Sequence, residues 1–279
     1  VQRLGSALGG LTTSVSKVMS FLRGVDSEDA LGPVAFLRRL EELDLSNNQL
    51  GPSLPDEVFV RLTGLTKLRL ADNRLERLPR AALGRLGRLR DLNLARNLFA
   101  DVPSEVGRLS RLERMDLSGQ GGGRFLRDLP MTLRSLSSSL TELRLSNNNF
   151  QKFPEALLPS SEEPGLTSLR VLALDNNPVD ELDEDLAICK CLEKLYLQGT
   201  KRLKKLNESA RFFYQLRELW IQDSGISRVE VEVATLPRLA MIVLSHEGQL
   251  ENYDHLRRYV SRQRLCFVQD GGGPLGPDT

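Results

Sequence analysis

The stretch that decides the fold is LRDLNLARNLFADVPSEVGRL, which runs from Leu89 to Leu109. Leu92 and Leu94 alternate with polar residues, as in a short strand that buries one of its faces. The wider apolar spacing from Val102 to Leu109 is typical of a helical or irregular return path. One such turn cannot bury its own apolar face, so it requires similar turns above and below it.

The same pattern recurs along most of the chain, in units of 23 to 29 residues. Each unit opens with a leucine, and these leucines are Leu40, Leu65, Leu89, Leu112, Leu140, Leu169, Leu192, Leu216 and Leu239. The pattern L-x-x-L-x-L-x-x-N-x-L resembles the leucine-rich repeat signature. This resemblance implies an α/β fold, a horseshoe-shaped leucine-rich repeat solenoid of about nine repeats with a parallel β-sheet on its concave side.

Two columns of side chains are predicted to hold the turns together. The second leucine of each unit should form one continuous buried column: Leu43, Leu68, Leu92, Met115, Leu143, Leu172, Leu195, Leu219 and Ile242. Eight residues after the opening leucine, five units have an asparagine: Asn48, Asn73, Asn97, Asn148 and Asn177. The other units have Gln120, Thr200, Ser224 and Glu247 at this position. A buried carboxamide both donates and accepts hydrogen bonds, so we expect this column to satisfy backbone groups rather than to bind a metal or ligand.

The repeats divide the chain into three parts. Residues 1–39 do not fit the repeat, and the helical spacing of Leu11, Val15 and Val18 predicts an N-terminal helical cap. Binding of this amphipathic segment to a membrane or a partner helix is the alternative. Residues 40–249 form the predicted solenoid, and residues 250–279 are predicted to be a C-terminal cap followed by a flexible tail.

Composition narrows the setting in which the protein works. The formal net charge is +1 with 27% charged residues, so total charge indicates neither nucleic acid nor membrane. No apolar run is long enough to span a membrane. The three cysteines, Cys189, Cys191 and Cys266, do not cluster at the ends of the array as the disulfide-bonded caps of extracellular leucine-rich repeat proteins do. We therefore expect an intracellular location, in the cytoplasm or an organelle interior, where thiols stay reduced.

The first repeats also resemble a particular class of leucine-rich repeat. Leu54-Pro55, Leu78-Pro79 and Val102-Pro103 occupy equivalent places, as in the intracellular repeats of Ras-suppressor, Scribble-type and plant Ras-group proteins. Those proteins are non-catalytic adaptors and scaffolds. The resemblance, with only two histidines and no recognisable catalytic constellation, implies a protein that is not an enzyme and uses no cofactor or metal.

The concave face offers the first candidate binding surface. The strand residue between the second and third leucines points out of the sheet, and this column changes from charged to apolar and aromatic at Ala173. The strand residue two positions earlier in each unit lies on the same face and adds two apolar side chains. The predicted partner-binding residues are therefore Val171, Ala173, Tyr196, Trp220, Met241 and Val243. Exposed Trp and Tyr often dominate binding energy, so we expect a protein partner here, probed most directly at Trp220. The alternative is that the C-terminal cap folds over Trp220 and makes it core.

Arginines supply a second candidate surface. Between Arg74 and Arg114 there are ten arginines and no lysine, against five acids. Four of the arginines should line one edge of the solenoid, and these are Arg85, Arg88, Arg108 and Arg111. Nucleic acid or an acidic protein could use such an edge, although aromatic residues for base stacking are nearly absent there. A simple solvated face is the plainest interpretation.

These observations predict a protein–protein interaction scaffold, as a subunit or adaptor of a multi-subunit assembly. An RNA-associated subunit and a regulatory subunit of a phosphatase or small-GTPase pathway are the alternatives.

One further expectation concerns charge on the return paths. The acidic run from Asp180 to Asp185 and the basic run from Lys201 to Lys205 lie on neighbouring turns, so they should face one another and partly neutralise.

Overall fold

The computed structural model describes residues 38–54, 56–121, 125–206, 208–260 and 265–267. Most of the predicted N-terminal cap, residues 1–37, lies outside the described residues, as do residues 268–279 of the predicted tail.

The described strands form one ten-stranded sheet in which each strand pairs with the next along the chain. All nine pairings are parallel and in register, so that Leu68 lies between Leu43 and Leu92. The strands are β1 Glu42–Asp44, β2 Lys67–Arg69, β3 Asp91–Asn93, β4 Arg114–Asp116, β5 Glu142–Arg144, β6 Val171–Ala173, β7 Lys194–Tyr196, β8 Glu218–Trp220, β9 Met241–Leu244 and β10 Leu265–Phe267. The predicted leucine-rich repeat horseshoe is confirmed, with one strand more than the nine counted repeats. That strand, β10, follows the alternation of Leu265 and Phe267 and covers β9.

Short helices return the chain from one strand to the next. Four are α-helical, and they span Asp56–Val60, Arg80–Leu83, Val231–Ala234 and Tyr253–Leu256. Six are 3₁₀ helices, and they span Ser104–Arg108, Met131–Leu136, Glu155–Leu157, Glu184–Ile188, Glu208–Phe212 and Glu247–Gln249. A 3₁₀ helix is narrower than an α-helix and suits a repeat with few residues on its return path.

The predicted core column is buried along its whole length. Each of its nine side chains, from Leu43 to Ile242, is at most 2% exposed. They belong to one hydrophobic core that runs the length of the solenoid. The sequence therefore identifies the buried positions of the strands correctly, since a shift of one residue would have placed these side chains on the other face of the sheet.

The asparagine column works as predicted, and Asn97 shows how. Its Nδ2 donates to the carbonyl oxygens of Leu70 at 2.9 Å and Leu94 at 2.9 Å, and its Oδ1 accepts from the amide of Leu75 at 3.1 Å. One side chain therefore satisfies groups on its own turn and on the turn before it. Gln120 repeats the arrangement with the carbonyl of Leu94 and the amide of Phe99.

Near the C-terminus the column departs from the sequence expectation. Thr200 and Ser224 each donate only to the carbonyl three residues earlier, at 2.5 Å and 2.6 Å. Glu247 is exposed, and Gln249 takes its place by donating from Nε2 to the carbonyl of Ile221 at 2.7 Å. The assignment of Glu247 to the column is wrong because the 3₁₀ helix Glu247–Gln249 replaces the sharp turn that ends the other strands.

That sharp turn has a fixed backbone conformation. The residue just before each column position from Asn48 to Ser224 has a positive φ, and these residues are Asn47, Asp72, Arg96, Gly119, Asn147, Asn176, Gly199 and Asp223. Asn, Asp and Gly tolerate this region best. Arg96 is the exception, and its guanidinium pairs with Asp72 of the preceding turn, Nη2 to Oδ2 at 2.6 Å. The hydrogen bond from Arg96 holds the pKa of the Asp72 carboxyl below its ordinary value.

The buried column leads to the first prediction. Leu143→Ala should lower the free energy of unfolding by about 2–5 kcal/mol, because the fully buried side chain would leave a cavity between two turns. Leu98→Ala is the matched control, since Leu98 is only half-buried. Urea denaturation of both variants measures the difference. Equal losses would show that the column does not carry the stability assigned to it.

A second prediction concerns the carboxamides. Asn97→Ala should lower the free energy of unfolding by about 1–3 kcal/mol for each backbone group left without a partner. Asn149→Ala is the control, because Asn149 is half-buried and its side chain makes no hydrogen bond within the described structure. Thermal and urea unfolding monitored by circular dichroism compare the two. If the two variants were equally stable, the hydrogen bonds of Asn97 would contribute nothing net.

Candidate functional site

The parallel register brings the predicted concave residues together. Ala173, Tyr196, Trp220 and Val243 are successive partners across β6 to β9. The rings of Tyr196 and Trp220 lie 5.7 Å apart between centroids at an angle of 37°. All six predicted residues thus lie on four adjacent strands of the concave face.

Their exposure is lower than the sequence suggests. Ala173, Tyr196 and Val243 are 5%, 8% and 4% exposed, whereas Val171, Trp220 and Met241 are half-buried. Side chains at the same position of in-register strands are neighbours, so each covers part of the next. Trp220 is therefore not made core by the described part of the C-terminal cap, and it is the aromatic side chain most accessible on this face.

A charged pair divides the apolar residues, a feature that the sequence reading missed. Val171, Lys194, Glu218 and Met241 are the first residues of β6 to β9 and neighbour one another in that order. Lys194 and Glu218 thus lie between the two apolar side chains, and they form an ion pair of 2.8 Å. Glu218 also accepts a hydrogen bond of 3.2 Å from Nε1 of Trp220. The indole is thereby fixed in orientation, with its polar edge already satisfied.

Arg144 and Asp175 mark the border between the charged and apolar parts of the face. Burial acts to lower the pKa of Arg144, but the neighbouring charges of Glu142 and Asp116 raise it overall. Asp175 is 8% exposed and accepts a hydrogen bond of 2.5 Å from the hydroxyl of Ser146. Burial raises the pKa of this carboxyl above its ordinary value. The sequence signal that could have found Asp175 is its position two residues beyond Ala173, on the same face of the chain.

Two carboxamides beside the aromatic pair have no hydrogen-bond partner on the oxygen. These are Gln198 and Gln222, which follow Tyr196 and Trp220 by two residues, and Oε1 of each is buried and accepts nothing within the described structure. A buried polar atom without a partner costs free energy, so each amide gains by finding one. Beside the aromatic pair, this region therefore holds two buried carboxamide oxygens whose hydrogen-bonding capacity is unused within the described structure.

The N-terminal half of the concave face is instead occupied by internal ion pairs. Lys67 pairs with Glu42 at 3.2 Å, and Arg114 pairs with Asp91 at 3.2 Å. Each pair joins neighbouring turns. These side chains are committed to one another, which leaves the region around Tyr196 and Trp220 as the better candidate for binding.

The predicted arginine edge is present as a surface. Arg85, Arg88, Arg108 and Arg111 are all exposed, and within the described residues none of them forms an ion pair. The chain places them just before β3 and β4, on the edge of the sheet where those strands begin. They lie away from the aromatic pair, so the two predicted surfaces are separate.

The acidic and basic return-path runs face each other as expected, but without a close ion pair. They line one shallow groove of about 630 Å³ on the sixth and seventh turns, formed by Asp180, Glu181, Leu182, Asp183, Glu184, Asp185, Lys204 and Lys205. Lys204 donates to the carbonyl of Lys201, and Asp183 accepts from the amide of Asp185. The described residues contain no group of three or more His, Cys, Asp or Glu side chains placed to hold a metal ion.

Cys189 is buried and Cys191 is exposed, and neither forms a disulfide, whereas the exposure of Cys266 is intermediate. Burial, and secondarily the neighbouring Cys191, raises the pKa of the Cys189 thiol to about 12, so this thiol stays protonated. Across the part of the chain that the structure describes, no helix is both long and apolar enough to cross a bilayer.

Comparison with known proteins agrees with this geometry. A leucine-rich repeat family model matches residues 38–99 and 63–120, and a second leucine-rich repeat model matches residues 139–160. The chain is a leucine-rich repeat protein. Among solved structures, internalin C2 from Listeria monocytogenes superimposes on this leucine-rich repeat protein with a TM-score of 0.62 and 26% identity, covering 76% of this chain and 83% of internalin C2.

Two curated relatives are longer proteins. Podocan from Mus musculus is 30% identical over 242 residues, covering 77% of this chain and 37% of podocan. A probable serine/threonine-protein kinase from Dictyostelium discoideum is 32% identical over 189 residues, covering 58% of this chain and 6% of the kinase. The leucine-rich repeat protein described here therefore spans less than half the length of either relative.

The buried carboxyl of Asp175 leads to a prediction about pH. Its folded-state pKa is raised, so its favourable contribution is complete below the ordinary value of 3.8 and is lost as the pH rises through the folded-state pKa. Asp175→Asn removes the charge, and its carboxamide oxygen can still accept from Ser146. The variant should therefore be more stable than the parent at neutral pH, and this gain should shrink as the pH falls toward 3.8. Melting temperatures from neutral to acidic pH measure the effect, and a gain that did not change with pH would contradict it.

Proposed function

We propose that this leucine-rich repeat protein is a non-catalytic scaffold that binds a protein partner on its concave face, as a subunit or adaptor of a larger complex. Leucine-rich repeat solenoids generally mediate protein–protein interactions. The observation that carries the proposal is the Tyr196–Trp220 pair, with its rings 5.7 Å apart and Trp220 half-exposed, beside two carboxamides that lack a partner.

Three properties of this region favour protein binding. Trp and Tyr contribute large contact areas at low conformational cost, and they are frequent among residues that dominate binding energy. Trp220 is already oriented by its hydrogen bond to Glu218, so little ordering is required when a partner binds. The side-chain oxygens of Gln198 and Gln222 are buried but accept no internal hydrogen bond, so a change of rotamer that turned either oxygen toward a partner would break none.

Catalysis would require a base or nucleophile and an orienting group that converge on one pocket. Asp175 has a raised pKa, but its nearest partners are Ser146 and the charge of Arg144, an arrangement that also suits a buried structural carboxyl. The kinase relative is matched over 6% of its length, so its name carries no activity to this chain. These points support an interaction role over an enzymatic one.

The same proposal includes a reducing compartment. Cys191 is an exposed free thiol, and the buried Cys189 is a thiol as well. Free, accessible thiols persist where the cellular environment keeps them reduced. Alkylation of intact cells followed by mass spectrometry would report whether Cys191 is a thiol there, and an oxidised Cys191 would contradict this location.

The concave-face proposal is tested by changing Trp220. Affinity purification of the intact protein with quantitative mass spectrometry first identifies stoichiometric partners, and the Kd of one of them is then measured. Trp220→Ala should weaken that Kd by about 2 kcal/mol, or roughly thirtyfold, with little change in melting temperature, because the side chain is half-exposed.

Phe125→Ala is the control for this experiment, since Phe125 is an aromatic residue that is 44% exposed and lies outside the strands. It should leave the Kd unchanged. A large fall in melting temperature for Trp220→Ala, with the partner still bound at the original affinity, would show that Trp220 serves packing and would overturn the assignment of the site.

A further inference from the structure

The arginines just before β3 and β4 differ from the charged residues that pair across neighbouring turns. Elsewhere, charged side chains at equivalent positions of neighbouring turns have opposite signs and pair: Lys67 with Glu42, Arg170 with Glu193, and Lys194 with Glu218. In-register stacking makes such neighbours close, at roughly the 4.8 Å spacing of strands. Pairing across turns is therefore the usual way in which this surface neutralises its charges.

Arg85 and Arg108 both stand four residues before an opening leucine, and Arg88 and Arg111 both stand one residue before it. They therefore form two stacked pairs of like charge, here named the arginine ridge. The side chain of Arg108 reaches back over the preceding turn, since a Cβ on Gly84 would lie 3.1 Å from its Cδ and 3.5 Å from Nη1. The side chain of Arg108 thus lies over Gly84, the residue that precedes Arg85.

Arginines that lie closer to the strands on the same two turns do find acidic partners. Arg90 pairs with Glu113 and Arg114 pairs with Asp91, on the same two turns. Glu105, on the helix that ends at Arg108, has a buried Oε2 that accepts no hydrogen bond within the described residues. Asp91 and Glu113 are therefore paired with other arginines and Glu105 is turned inward, so that none of the three forms an ion pair with the exposed guanidinium groups of the ridge.

We propose that the arginine ridge binds a short acidic segment of a partner protein. Guanidinium groups match carboxylates through paired, parallel hydrogen bonds, and a bound acidic segment would remove the repulsion between the stacked arginines. This surface is separate from the concave aromatic site, so the inference does not depend on the function proposed above.

The extent of the ridge favours a short acidic segment over a nucleic acid. On the following turn the two equivalent positions are Leu136, which is buried, and Ser139, and on the preceding turn they are Arg61, which already has an interaction partner, and Gly64. A long polyanion would extend beyond the ridge without finding further unpaired cations at these positions. Phe99 is the only aromatic residue between Arg74 and Arg114, and it is 1% exposed, so no ring is available there for base stacking.

The test compares two double variants that remove the same charge from the same protein. Arg85→Gln with Arg108→Gln neutralises half of the ridge. Arg170→Gln with Arg217→Gln is the matched control, because both residues are exposed arginines that pair with Glu193 near the same edge of the sheet. Circular dichroism verifies that both variants fold, as expected for changes at exposed side chains.

The probe is a short fluorescein-labelled peptide rich in glutamate, and its binding to the full chain is followed by fluorescence anisotropy at about 50 mM salt. The ridge variant should bind the peptide about fivefold more weakly or worse, and the control should stay within about twofold of the parent. Equal losses in both variants would show that only net charge matters and would overturn the proposal. No detectable binding by the parent protein would also overturn it.

A single-stranded RNA oligonucleotide of the same formal charge is the second probe under the same conditions. The peptide should bind the parent protein at least as tightly as the RNA does. If the RNA bound more tightly, and that binding were lost in the ridge variant, the ridge would be a nucleic-acid surface and the proposal of an acidic protein segment would be wrong.

Discussion

The structure depends on satisfying the backbone where the chain leaves each strand. Most strands have only three residues, so the sheet alone leaves carbonyl and amide groups of the following turn without partners. Asn97 provides four of the required hydrogen bonds, with the carbonyls of Leu70, Leu94 and Ala95 and the amide of Leu75. Because these groups belong to two turns, one side chain both ends a strand and fixes its own turn against the preceding one. The spacing and register of the whole solenoid follow from that repeated contact.

Register in turn decides the chemistry of the surface. Residues separated by a full repeat in the sequence become neighbours, so a charge is neutralised or left alone according to what stands one repeat away. Lys194 meets Glu218 and is paired, with the hydrogen bond to Glu218 raising its pKa, whereas Arg85 meets Arg108 and is not paired. A short sequence window does not contain both residues of such a pair, because they are a full repeat apart. Counts of charge within a short window therefore describe this surface poorly.

The sequence predicts the core well and the exposure of the binding face less well, for physical reasons. The buried column follows from periodicity alone, because any other register would expose Leu92 and its equivalents. The concave positions of Tyr196 and Trp220 follow from the same period, but their exposure depends on how side chains on adjacent strands cover one another. Gln249 could not be foreseen, because the last turn changes its backbone and moves the useful carboxamide two residues beyond Glu247.

The aromatic site also gains from being built on strands rather than on loops. Trp220 and Tyr196 lie on β8 and β7, whose positions are fixed by the core on one side and by neighbouring strands on both edges. The ion pair of Lys194 with Glu218, and the bond from Trp220 to Glu218, restrict the side chains as well. Binding to such a preorganised surface loses little conformational entropy, so more of the contact energy can appear as affinity. Gln198 and Gln222 follow the two rings by two residues, and a change of rotamer at either one breaks no hydrogen bond to its buried Oε1 within the described residues.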